Sequence, residues 1–380
     1  MHFSPLSSSA VILIATLSNA APVTTIIPGV NITSTNAAAE NLIPNSWFLV
    51  YTNGTSDADF NNHIQKIHTK LGKTPSSTFN LNGFKAILMD TDATGLAQIG
   101  TDAVIDHVEY NVQMSLDPML AASAVTKKTS PAPIKNSNQL NAPWGLSRIS
   151  HKNLGKYTDY LYDSSACDGT VAYVLDTGIM DTDIEGHGTH CAGIVIGEES
   201  GVCKFGEAVA VKHISTPSKR AKLHKSVQTI SIAGPYSPML NALVNAVVLG
   251  GMPVVVSAGN QGADASDYSP GSALDSMTTG AIDQNDNRPN WSNWGPSVYI
   301  FAPGVDIEST WITCDTCYLT QSGTSMAAPH MAGLAMYFMA KENLVIPMTV
   351  IQAVIGAASV GLVGNPQGSY NKIGYNADGA

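Results

Sequence analysis

The chain has 380 residues, 13% of them charged, and a formal net charge of −10 at pH 7. That length can bury a large core and suits two domains. A charge density well below the usual ~25%, with a negative balance, gives no electrostatic reason to bind nucleic acid.

At the N-terminus the apolar run Ala10–Leu17 leads into Ser18-Asn-Ala20, the small-residue pattern of a signal peptidase site. Residues 1–20 therefore read as a secretory signal, because eight apolar residues are too few to span a bilayer. Asn31, Asn53 and Asn290 each begin an Asn-x-Ser/Thr triplet, the acceptor pattern for glycosylation on that route. Residues 21–115 follow as a small separate domain with its core over 44–115. Strands are predicted at 46–51, 83–89 and 104–110, and helices at 58–71 and 92–99; Phe60, Ile64 and Ile67 give the first helix its spacing. One more strand before Gly83 completes a ferredoxin-like α+β pattern.

Residues 116–140, rich in Ala, Ser, Thr, Pro and Lys without a sustained period, predict an exposed linker. From 141 to 380, short apolar strands alternate with helical stretches, as in an α/β domain whose parallel sheet is covered by helices on both faces. Strands are predicted at 171–175, 208–212, 228–232 and 253–257, and helices at 187–197 and 324–340. The basic stretch Lys219–Lys225 reads as a solvated face or loop. The apolar stretch Ala242–Ser257 is interrupted by Asn245, Gly250, Gly251 and Pro253. It reads as a buried helix, a turn and a buried strand, so no membrane anchor is expected.

Three distant segments carry reactive side chains: Val174-Leu-Asp176-Thr-Gly178, Gly186-His187-Gly-Thr-His190 and Gly323-Thr-Ser325-Met-Ala-Ala-Pro329. A seryl hydroxyl is a weak nucleophile at neutral pH. It needs an imidazole to take its proton and a carboxylate to fix the imidazole tautomer. Asp176, His187 and Ser325 supply that set, in the chain order found in subtilisin. Asp176 ends a predicted parallel strand, where such sheets place their sites. His187 and Ser325 open predicted helices, whose free N–H groups favour developing negative charge. Five cysteines leave at least one unpaired. Cys314 and Cys317 are spaced for a tight loop disulfide, and no second ligand pair favours zinc. Cys167 and Cys203 are possible partners, and the connectivity stays open.

These segments resemble the subtilisin-like serine proteases, and within them the secreted fungal proteinase K group. Asn141-Ala-Pro-Trp-Gly-Leu146, Ser257-Ala-Gly-Asn260, Tyr268-Ser-Pro270 and Ser309-Thr-Trp311 add to the resemblance. It implies a serine endopeptidase with a subtilisin-like catalytic domain over 141–380. Ser325 is then the nucleophile, His187 the general base, and Asp176 its orienting carboxylate, with Asn260 and the Ser325 end of its helix holding the oxyanion. Ser231, Ile232, Ala233 and Gly234, with Ser257, Ala258 and Gly259, would line an open apolar specificity pocket for protein or peptide substrates. Cys191 falls where the group carries an unpaired buried thiol, and is read as packing, as are His190 and His330. The N-terminal domain resembles the inhibitor propeptides of the family, so it is expected to inhibit intramolecularly until the 116–140 linker is cut. A secreted monomer that needs no cofactor for its chemistry is the expected state.

The chain departs from the family in three places. Only eleven positions separate Asp176 from His187, where relatives carry a further β-strand. Only nineteen separate Lys212 from Ser231, barely enough for a parallel crossover. Proteinase K has a carboxylate before its Phe-Gly-Pro-Gly turn, but this chain has Tyr299 before Ile300-Phe-Ala-Pro-Gly304. A structural calcium therefore stays open, its family ligands are not evident in this sequence, and no metal ligands are assigned. The shortened core leaves one alternative function, a catalytically inactive subtilase homologue acting as a secreted binding protein.

Overall fold

The computed structural model describes residues 26–33, 35–114, 116, 125–127, 138–163, 167–211 and 225–379. The expected signal segment, most of the linker and most of the basic stretch lie outside the described residues.

The N-terminal unit is built from β1 (Leu42–Tyr51), α1 (Asp57–Leu71), β2 (Ser77–Leu81), β3 (Phe84–Asp90), α2 (Ala93–Ile99) and β4 (Ile105–Val112). The strand expected before Gly83 is β2. The antiparallel order β2-β3-β1-β4 is the ferredoxin-like one. Ser56 caps α1 by accepting from Asp59 N, and Gly72 ends it in the left-handed region. Phe60 and Ile67 of α1 pack with Leu49, Ile87, Leu96 and Val108 beneath that helix layer.

The chain continues through β5 (Thr126–Lys127), β6 (Asn138–Leu140), α3 (Trp144–Ile149), β7 (Asp159–Leu161) and β8 (Thr170–Leu175). It then forms α4 (His187–Ile196), β9 (Glu207–Val211), β10 (Lys225–Ile230), β11 (Gly234–Pro235), α5 (Pro238–Leu249) and β12 (Val254–Ser257). After these come β13 (Tyr268–Ser269), β14 (Met277–Ile282), β15 (Ile300–Pro303), β16 (Ile307–Thr310), β17 (Cys317–Gln321) and α6 (Thr324–Lys341). The last elements are α7 (Pro347–Ala357), β18 (Ser359–Val360) and β19 (Lys372–Ile373).

Eight strands form one sheet in the order β18-β19-β15-β14-β12-β10-β8-β9, parallel except where β18 meets β19. Side-chain alternation divides its apolar residues between two faces. Val174 and Val255 join α4, α6 and α7 in one cluster, while Leu175, Val254 and Val256 join α5 in the other. The sheet is thus covered on both faces, as expected. Nearly all of α6 is buried, which explains why it reads as apolar on every side.

The differences from the sequence reading are local. The strand expected at 228–232 ends at Ile230, so Ser231 and Ile232 lie beyond it. The linker is not structureless throughout: β5 pairs with β17, and β6 with β7. Between Asp176 and His187 the chain makes only a 3-10 turn, Met180–Thr182. In consequence β9 is left as the edge strand beside β8.

Cys167 pairs with Cys203 and Cys314 with Cys317, leaving Cys191 free and buried. Among the described residues no helix is long and apolar enough to cross a membrane.

Candidate active site

β8 delivers Asp176 at its C-terminal end, and α4 begins at His187. Gly186, the cap residue of α4, has φ +93°, and a Cβ there would meet the Trp311 ring at 2.3 Å. No other residue type fits so tight an entry into the helix. His187 Nδ1 lies 2.7 Å from Asp176 Oδ1, and both side chains are buried. With that proton held by the carboxylate, Nε2 is the ring's free base. Burial pushes the His187 imidazolium down. The negative partner at its Nδ1 edge outweighs this and raises His187 well above the ordinary histidine value. We assign that effect to Asp176, because burial also pushes the neighbouring Cys191 thiol up and keeps it neutral.

α6 carries Ser325 in its first turn, and Cys191 Sγ, 3.8 Å from His187 Nδ1 and 3.4 Å from Ser325 O, links it to the His187–Asp176 pair. Pro329 lies inside the helix and has no N–H to offer the carbonyl four residues back, which is that of Ser325. Ser231 Oγ and Cys191 Sγ satisfy this carbonyl instead, at 3.1 and 3.4 Å. Ser325 Oγ in turn donates to Ser231 O at 3.0 Å. Asn260 Oδ1 accepts from both Thr324 N and Thr324 Oγ1 at 2.9 Å, capping the start of α6. Among the described residues its amide nitrogen has no acceptor.

The other expected site residues fall nearby with different surroundings. Ala233 and Gly234 are buried and Ile232 is half-buried; Gly234 pairs with Ser269 and stands against the Met114 side chain. Ser257 and Ala258 are fully buried, and Gly259 N donates to Thr324 Oγ1 at 3.1 Å. His190 is buried, with Nε2 between Ile307 O and Leu319 O; burial pushes it down to about 3. His330 Nδ1 bonds Met326 O, and burial pushes it down to about 4. Both stay neutral and hold backbone in place.

Asn31, Asn53 and Asn290 are all exposed, though Asn31 Nδ2 already donates to Asp106 O. Sequence reasoning missed Thr177, Asp183 and Thr324, small polar residues whose bonds support the reactive ones. An acidic residue just ahead of a helix start was the available signal for Asp183.

Among the described residues, only Asp176, His187 and Cys191 place three potential ligand atoms within 4.8 Å of one another. The Asp176–His187 hydrogen bond accounts for that cluster without an ion. Tyr299 does not suit calcium, which takes charged or carbonyl oxygen. Its hydroxyl donates to Leu274 O at 3.4 Å and its ring stacks on Tyr370 at 5.6 Å. Burial pushes the phenol up, so it stays neutral.

The N-terminal unit docks beside this site. Glu109 accepts from Ser237 Oγ and Met239 N, at 2.7 and 2.6 Å, placing a carboxylate at the positive end of α5. Asn82 Nδ2 donates to Ala246 O, and Leu81, Phe79 and Phe84 pack against the α5 cluster.

The sequence profile of the Subtilase family matches residues 149–375. "Subtilisin-like protease 2" of Pseudogymnoascus destructans is 35% identical over 384 residues, covering 90% of this chain and 92% of that protein. "Alkaline protease 1" of Aspergillus clavatus is 32% identical, covering 89% of this chain and 92% of its own length. The crystal structure of a cold adapted subtilisin-like serine proteinase superposes with a TM-score of 0.57 at 32% identity. It covers 62% of this chain and 98% of its own.

Proposed function

This chain belongs to the subtilase family and is a serine endopeptidase, and from that premise we propose that Ser325, His187 and Asp176 are its catalytic residues. The 2.7 Å bond between His187 Nδ1 and Asp176 Oδ1 carries the proposal, because it fixes the tautomer a base needs. Ser325 Oγ, turned from Ser231 O towards His187, gives up its proton and attacks the scissile carbonyl. The Asn260 amide and the N-terminus of α6 hold the oxyanion. His187 then returns the proton to the leaving amine, and water hydrolyses the acyl-enzyme.

Ser231–Gly234 and Ser257–Gly259 bind the peptide as an added strand, without a buried charge to select Lys or Arg, so the preference is broad and apolar or aromatic. The protein is secreted as a zymogen, with the 21–115 domain as its inhibitor and cleavage within 116–140. The Glu109 cap on α5 and the approach of Met114 to Gly234 support that reading. It is expected to be a monomer, with Asn31, Asn53 and Asn290 as glycosylation candidates.

Secreted protein incubated with a fluorophosphonate probe is expected to label, and Ser325→Ala is not. A base must be neutral, and His187 is raised above 6.5, so labelling is expected to be lost as pH falls through that higher value. Intact mass is expected to show loss of a fragment ending within 116–140. A folded, uncut chain that never labels would instead identify a binding protein. EDTA is expected to leave the melting temperature unchanged within about 1 °C, since a site that binds no ion gains nothing from one. A fall reversed by calcium would overturn that.

A further inference from the structure

Asp183 lies in the shortened segment between Asp176 and His187, and its residue is only 5% exposed. A buried carboxylate needs partners, and this one has five. Oδ1 accepts from Thr177 Oγ1, Glu185 N and Gly186 N at 2.8, 3.1 and 2.8 Å. Oδ2 accepts from Thr189 N and Thr189 Oγ1, both at 2.8 Å. Burial pushes its pKa up, and these bonds more than reverse the effect and keep it ionised.

The partners lie on the two elements that the reaction must hold together. Thr177 follows Asp176, and its N–H donates to Asp176 Oδ1 at 2.7 Å. Its hydroxyl accepts from Gly188 N in the first turn of α4 at 3.0 Å while donating to Asp183. Gly186 and Thr189 bracket His187 itself. The Asp183 carboxylate thus joins the Asp176 turn to the His187 helix end, beside the direct bonds Gly188 N to Thr177 Oγ1 and Met180 N to Thr189 Oγ1.

We infer that Asp183 is a positioning residue, whose buried carboxylate sets the Asp176–His187 pair by fixing the turn after Asp176 and the start of α4 at once. This rests on the proposed roles of Asp176 and His187. Asparagine is not a silent substitute, because its amide would turn two donors towards N–H or O–H groups that need acceptors.

The test uses the full secreted chain. Asp183→Asn is expected to slow fluorophosphonate labelling about 10²-fold, the cost of an ångström-scale misplacement, with KM within about threefold. It is also expected to lower the His187 titration, followed by NMR of ¹³C-labelled histidine, while circular dichroism stays native. A packing defect alone would leave that titration in place.

Thr177→Val keeps the Asp183 contacts to the helix end and removes the bonds of the Thr177 hydroxyl to Asp183, Gly188 N and Asp176. It is expected to cost about tenfold with the same split between kcat and KM, and carries the test if Asp183→Asn does not fold. Labelling within threefold of wild type and an unmoved His187 titration in the folded variants would overturn the inference. Failure of wild type to label would defeat the reading of the reaction instead. The His187 titration would then still decide whether Asp183 positions the pair.

Discussion

Replacing His187 with Ala is expected to lower peptide turnover on the order of 10⁶-fold, the size known for the corresponding residue of subtilisin itself. The imidazole is proposed to act twice, taking the Ser325 proton and then delivering it to the leaving amine, so no part of the acylation step survives its loss. Ser231–Gly234 are proposed to bind substrate independently of the imidazole, so KM is expected to change only a few-fold. Because the three side chains are proposed to work as one unit, His187→Ala/Ser325→Ala is expected to be no slower than either single variant. The variant should also be secreted uncut. Its turnover is therefore measured after cleavage in trans by tagged wild-type protein that is then removed. A loss below about 10²-fold would mean that another group serves as the base.

Replacing Arg148 with Met is expected to destabilise the C-terminal domain by about 3–5 kcal/mol. Arg148 in α3 donates to both carboxylate oxygens of Asp286, at 2.7 and 3.0 Å, and its remaining nitrogen donates to His151 O at 2.8 Å. Both residues are almost wholly buried. The Coulombic attraction does no more than offset desolvation, so the large cost comes from stranding one charge without the other. Measured on a Ser325→Ala background to prevent self-digestion, the melting temperature should fall by roughly 6–20 °C. Asp286 sits at φ +61°, where glycine is at ease, so Arg148→Met/Asp286→Gly removes both charges without backbone strain. That double variant is expected to be more stable than Arg148→Met alone. The opposite order would show that the carboxylate, not the pair, holds the turn.

The ferredoxin-like order of the N-terminal unit was readable because apolar strand runs alternate along the chain with the helical spacing of Phe60, Ile64 and Ile67, and only the short β2 lacked a clear pattern. The β10 boundary was misplaced because Ser231 and Ile232 look like strand residues. What stops the strand is the contact of Ser231 with the Ser325 backbone, across 94 positions. Two-residue strands such as β5 carry no period at all and exist only because β17 offers them an edge.

The amino-acid sequence by itself determined the candidate reactive groups, their Asp–His–Ser order, the parallel α/β class and the shortening between Asp176 and His187. Each of these is a local property of residue type and spacing. Tertiary structure alone decided which cysteines meet, what replaces the hydrogen bond that Pro329 cannot give Ser325, and that Asp183 ties two elements together. These depend on contacts between segments far apart in the chain. Side-chain chemistry is fixed residue by residue, but burial and partner choice are fixed only when the sheet closes and the helices pack on it.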